Sequence, residues 1–212
     1  MDKGGSYTQI AGQEADNEQK ADADATAVQW KPSNTTGSIR VLSPGDGGNV
    51  TQISSSQSHD RNPVARPNGD IMFSRWEHVG MRNRFAVFRV KPDGTDMFVL
   101  YGAHSPGNSF LHPRDMDPKG KFAGHLSSDL MALSRTQEGG SLMFIDAANY
   151  SEQDTPAKKS VARAGGQTEV TAQTLNQNDG LSPFGRVTTP YPLWDGTDRV
   201  LVAYRLCAVT PN

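Results

Sequence analysis

Between residues 67 and 206 the chain keeps returning to one pattern: a tight turn built around glycine, followed by a short apolar run. Pro67-Asn68-Gly69-Asp70 leads into DIMFSRW (70–76), and Pro92-Asp93-Gly94-Thr95 joins RFAVFRV (84–90) to DMFVLYG (96–102). Proline presets φ, Asn-Gly and Asp-Gly accept φ > 0, and runs joined by such turns pair as antiparallel strands. Residues 67–102 are therefore expected to form a three-stranded meander turning near 68 and 93. The cadence recurs in DPKGKFAGHL (117–126), QEGGSLMFID (137–146) and PLWDGTDRVLVAYRL (192–206), and starts earlier with SIRVL (38–42) and VTQIS (50–54). A degenerate period of roughly 40–50 residues is the range of propeller blades. A β-sandwich also has short strands and frequent turns, but nothing in its construction repeats one turn-and-strand unit. The expected fold is all-β, a β-propeller of antiparallel four-stranded blades, with a partial ring of about four blades in this chain.

Composition agrees with that expectation and excludes several alternatives. With 21 Gly and 13 Pro among 212 residues, and a mean hydropathy of −0.60, the chain suits turns and short strands rather than long amphipathic helices. No window supplies the ~18 consecutive apolar residues of a membrane-spanning helix. The net charge of −2 comes from interspersed signs, so the field that binds phosphate backbones is lacking and no nucleic acid partner is expected. Cys207 is the only cysteine, which excludes an internal disulfide and a multi-cysteine metal site, and the sequence contains no CxxCH haem motif. No cofactor is expected in this chain, and Cys207 itself reads as a small buried hydrophobe. Residues 1–29 are polar and acidic (Glu14, Asp16, Glu18, Asp22, Asp24) and are expected to be disordered, ahead of a propeller domain over 30–212. DADAT (22–26) lacks the glycine and distal glutamate of a calcium loop. No apolar signal-peptide core stands at the N-terminus.

Several strings resemble the middle domain of hydrazine synthase alpha-subunit-like proteins: GDIMFSRWEHV (69–79), RFAVFRVKPDGTDMFVLYGAHSPGNSF (84–110), EGGSLMFID (138–146) and TTPYPLWDGTDRVLVAYRLC (188–207). The resemblance covers about residues 30–207, and its most specific parts are FSRWEH, the PDGT turn leading to YGAHS, and PYPLWDG. It implies a six-bladed TolB-type propeller, a periplasmic or otherwise extracytoplasmic setting, and neighbouring haem-bearing domains that carry the redox chemistry. With no CxxCH, this chain departs from the family's catalytic part, so the resemblance carries over a scaffold. It also implies that the chain is one part of a longer protein or closes its ring by self-association, since an open arc leaves unpaired strand edges.

The strongest candidate site joins Arg75, Glu77 and His78, at the end of an apolar strand, to His104, His112 and Asp115 in the long segment GAHSPGNSFLHPRD (102–115). Loops between blades converge at the ends of a propeller's channel, where polar groups distant in sequence can bind a ligand. His104 and His112 could ligate a transition metal with Glu77 or Asp115, although their spacings match no ligand pattern. Fastening of loop backbones is the plainer role for all six. The polar stretch 149–170 reads as a solvated excursion. No GxSxG elbow occurs, and a triad of His104, Ser109 and Asp115 rests on three common residues in a loop. Trp76 and Trp194 read as inter-blade packing, and the sequons at Asn34, Asn49 and Asn149 matter only in a glycosylating pathway.

The expected function is thus a non-catalytic scaffold or binding module that presents rim loops to a protein partner or a small polar ligand. The alternative is the propeller portion of a multihaem redox enzyme whose haem domains lie elsewhere. A third possibility, the propeller of an oligopeptidase-type hydrolase, would require an adjacent α/β-hydrolase domain.

Overall fold

Asp93-Gly94-Thr95-Asp96 and Asp195-Gly196-Thr197-Asp198 adopt the same turn. Gly94 and Gly196 have φ of 85° and 78°, and Asp96 and Asp198 have φ of 52° and 56°. In each turn the leading carboxylate accepts the threonine amide, at 2.9 Å for Asp93 and 3.0 Å for Asp195, and also the threonine hydroxyl. These bonds hold both carboxyls below the usual carboxylate range. Asp195, bonded to Thr197 and then to Arg199, falls to about 2.

The computed structural model describes residues 6–10, 17–21, 27–29, 38–43, 49–56, 58–104, 109–116, 121–122, 125–126, 129–134, 139–159 and 162–206. Its elements are all strands, paired antiparallel, and the chain divides into two compact units, Met1–Leu100 and Tyr101–Asn212.

In the first unit, β1 (Ser6–Ile10) pairs with β2 (Asn17–Ala21). The strands β3 (Ala27–Gln29), β4 (Arg40–Ser43) and β5 (Asn49–Gln52) make a three-stranded sheet. The boundary expected at residue 29/30 therefore falls inside that sheet. Next come β6 (Asp60–Ala65), β7 (Ile71–Val79), β8 (Arg82–Val90) and β9 (Phe98–Tyr101), a four-stranded meander in sequence order that ends at the unit boundary. Ile71 and Phe73 of β7 and Val90 of β8 pack with Val41 of β4 and with Ile39 and Ile53, which flank β4 and β5, to form the core of this unit. Each such fully buried side chain contributes about 1.5–3 kcal/mol.

The second unit holds another four-stranded meander: β10 (Ser109–Asp115), β13 (Asp129–Ser134), β14 (Ser141–Ile145) and β17 (Gln167–Glu169). Two small hairpins sit in its connections, β11 (Lys121–Phe122) with β12 (His125–Leu126), and β15 (Tyr150–Glu152) with β16 (Thr155–Pro156). A last hairpin, β18 (Arg186–Pro192) with β19 (Val200–Arg205), follows. Val187, Val200 and Val202 from this hairpin pack with Met116, Leu142, Phe144 and Leu175. Two segments differ from expectation. The stretch 102–115 contains strand β10 where a long loop was expected, because Phe110 is fully buried and stacks edge-on against Tyr101. The stretch 149–170 forms β15, β16 and β17 in place of an irregular excursion, held by the buried Tyr150, whose hydroxyl donates to the Ala162 carbonyl.

One device recurs in three strands. Asn62-Pro63, His112-Pro113 and Thr189-Pro190 each set two residues opposite one on the partner strand, between the paired positions 61/64, 111/114 and 188/191. The residue before each proline is left-handed, with φ of 52°, 53° and 51°, and each proline is buried. Proline has no N–H to contribute to a ladder, so a bulge is where a sheet accommodates it.

Candidate functional site

Strand alternation sorts the β7 candidates by face. Arg75 and Glu77 continue the Ile71–Phe73 face, while Trp76 and His78 lie on the other. On the first face both charges are engaged. Arg75 donates to both oxygens of the fully buried Asp60, Nε at 2.6 Å and Nη2 at 2.9 Å, while its Nη2 also reaches the Ser55 carbonyl. Its guanidinium carbon lies 4.9 Å from the Phe88 ring centroid. Glu77 accepts from Arg84, its direct cross-strand partner, at 3.0 Å.

The opposite face is a row of rings. Trp76 stacks on His59 at 5.5 Å, on Phe85 at 5.9 Å and on His78 at 4.9 Å, all within 14° of parallel. Its indole N–H donates to Asn83 Oδ1. Burial and the neighbouring Arg61 hold the pKa of His59 below the usual imidazole value. β6 begins at Asp60, so beyond Trp76, whose amide bonds the His59 carbonyl, β7 runs past its neighbour. A cleft of about 400 Å³ opens there, lined by Ser55, Ser56, Ser58, Arg75, Trp76, Glu77, His78, Val79 and Arg82. Three of the six residues expected from sequence thus border one cleft. The serines and Arg82 were not expected, and nothing in their sequence context marks them.

The other three candidates belong to the second unit. His104 follows β9, with its side chain 82% exposed and Nδ1 3.8 Å from Glu152 Oε1, the same oxygen that accepts its backbone amide at 2.6 Å. His112 is the left-handed residue of the β10 bulge, and Asp115 closes β10 opposite Asp129. Both are strand residues, not rim-loop residues. Among the described residues no group of three or more His, Cys, Asp or Glu is arranged to hold a metal ion. No helix among them is long and apolar enough to cross a membrane. DADAT, Ser105 and Cys207 lie outside the described residues.

Two buried arginines escaped the sequence reading. Arg186, 1% exposed, donates to the carbonyls of Asn176, Asn178 and Gly180 and so holds that loop around itself. Arg114, immediately after the His112-Pro113 bulge, is 5% exposed. Its Nε donates to the Pro190 carbonyl at 3.0 Å, its Nη1 to the Pro113 carbonyl at 3.2 Å, and its guanidinium carbon lies 5.8 Å from the Tyr191 ring centroid. Pro113-Arg114 and Pro190-Tyr191 occupy the same station in two bulges, so equivalent positions of two repeats touch each other. The threefold X-Pro recurrence was the signal in the sequence that could have pointed to it.

A scan against protein-family models matches none, and a search of curated proteins finds no match. Among solved structures, a chain of hydrazine synthase from Kuenenia stuttgartiensis is similar, with a TM-score of 0.51 and 19% identity over 78% of this chain. The fold is hydrazine synthase-like. At that identity the likeness concerns fold alone, and this chain spans 19% of the hydrazine synthase chain. The residues do not fit the covalent c-type haem that the resemblance brings to mind, because the sequence has one cysteine and no CxxCH.

Proposed function

We propose that this chain is a non-catalytic scaffold and binding module of propeller type that presents strand-end surfaces to a small polar ligand or a protein partner. The observation that carries the reading is the division of labour on β7. Its charged groups are engaged in cross-strand ion pairs that hold β6, β7 and β8 together, while the Trp76–His78 ring pair borders an open cleft with hydroxyls and Arg82 around it. Aromatic walls with a few polar groups suit binding; an acid–base reaction needs carboxyls that are not already engaged. The radial arrangement draws support from the two bulges in contact, since in an array around an axis equivalent positions approach one another only near that axis. An extracytoplasmic location, and assembly with a partner or a second copy along exposed strand edges, belong to the same proposal.

The test is thermal denaturation of the chain against a panel of amino acids, monosaccharides and small carboxylates, with His78→Ala and Arg82→Ala alongside. A saturable rise in Tm with at least one solute, lost in both variants, is the expected result. A flat response throughout, with a monomeric chain by light scattering, would sink the proposal. The second reading, the propeller portion of a multihaem enzyme, is favoured by the similarity to hydrazine synthase. CxxCH motifs flanking this segment in the parent reading frame, with haem absorbance in the protein from its source, would establish it.

A further inference from the structure

Arg114 is a buried cation that meets no counter-charge among the described residues. It is 5% exposed, and its Nε and Nη1 bond only to carbonyls. A tyrosine ring covers its flank, and no carboxylate among the described residues pairs with it. Its Nη2 has no hydrogen-bond partner among the described residues. Burial lowers its pKa to about 10, which leaves it charged at neutral pH. A guanidinium withdrawn from water is costly unless an anion or a full set of acceptors meets it. Here the acceptors are two carbonyls, and the planar fork has a second edge to offer.

The surroundings explain why the group is held this way. The β10 bulge turns the Pro113 carbonyl back onto the guanidinium of the next residue, and the β18 bulge brings the Pro190 carbonyl to its Nε. Both bonds fix the plane of the fork. Left-handed, non-glycine residues precede both prolines, and such strain persists where the surrounding structure imposes a particular geometry. A guanidinium oriented in this way is built for planar, two-point recognition of an oxyanion.

We propose that the paired bulges of the second unit form an oxyanion site anchored on Arg114, taking the carboxylate or the tetrahedral oxyanion of a small ligand. Its geometry lies wholly within residues 101–212 and is independent of the cleft on β7. Its biological purpose rests on the binding-module reading above.

The experiment follows Tm while acetate, sulfate and inorganic phosphate are each titrated at constant ionic strength against chloride. At about ten times its dissociation constant, a ligand specific to the folded state raises Tm by roughly 3–5 °C in a chain of this size. Saturation by acetate alone assigns the site to carboxylates, and saturation by sulfate or phosphate assigns it to tetrahedral oxyanions. Arg114→Met removes the charge at similar side-chain length, so it should abolish the response while leaving the anion-free Tm unchanged or higher. Arg114→Lys keeps the charge without the fork and should shift the midpoint about tenfold upward; it serves if the methionine variant fails to fold. His78→Ala should respond like the parent chain. The inference is overturned if no anion exceeds chloride, if both Arg114 variants respond like the parent, or if His78→Ala removes the response.

Discussion

Asp60 is fully buried and its two oxygens face a single guanidinium, so β6 and β7 are tied by a charge pair that water barely reaches. Removing one partner of such a pair strands the other, at a cost of about 3–5 kcal/mol. Arg75 retains 15% side-chain exposure, which moderates the penalty for an orphaned guanidinium. Asp60→Asn should therefore cost about 3 kcal/mol by urea unfolding, and Arg75→Met should cost more, because it leaves the sealed carboxylate. Equal losses would argue against a buried pair. The sequence placed Arg75, Glu77 and His78 together because they are neighbours on one strand. It did not reveal that Asp60 and Arg84 neutralise the first two, since a strand's partners are chosen by register with other strands and not by its own residues.

Among the elements, the three bulged strands carry the most information. Thr189 is β-branched and left-handed, the least tolerant combination of the three stations, whereas Asn62 at the equivalent place suits that conformation. Thr189→Asn should stabilise the chain by about 0.5–1 kcal/mol, read as a rise in Tm. No change or a loss would show that the threonine hydroxyl offsets the strain. The bulge also fixes register: a one-residue slip would turn Val200 and Val202 away from Leu142, Phe144 and Val187. The Asp-Gly-Thr turns were legible beforehand, down to the capping carboxylate, because every contact they need lies within three residues. β10 was not legible. His, Pro and Arg in LHPRD read as loop chemistry until the proline is seen to occupy a bulge and Phe110 to be buried.

At the scale of the molecule, pH reports on the ring row of the first unit. Burial and Arg61 lower the pKa of His59 in the folded chain relative to the ordinary value of 6.5. The unfolded chain then binds a proton before the folded chain does, so the contribution of His59 is complete above about pH 6.5 and declines as pH falls toward the folded pKa. Tm should fall between pH 7 and 5, and His59→Gln should flatten that slope; an unchanged slope would show that another group governs it. The second unit offers an exposed apolar edge at Leu201, Tyr204 and Leu206, the kind of surface that seeks a neighbour. The likeness to hydrazine synthase concerns fold alone and spans 19% of that chain, so the whole protein's chemistry is a separate question.

The amino-acid order by itself determined the strand class and the turns, because these follow from φ preferences and local hydrogen bonds, and it shows that the given sequence contains no CxxCH motif. Tertiary structure alone decided which charges neutralise each other, that His112 sits in a strand, and that Arg114 meets a carbonyl 76 residues away. Such contacts depend on how sheets register and pack, a long-range choice made by burial of whole faces and written in no short stretch of chain.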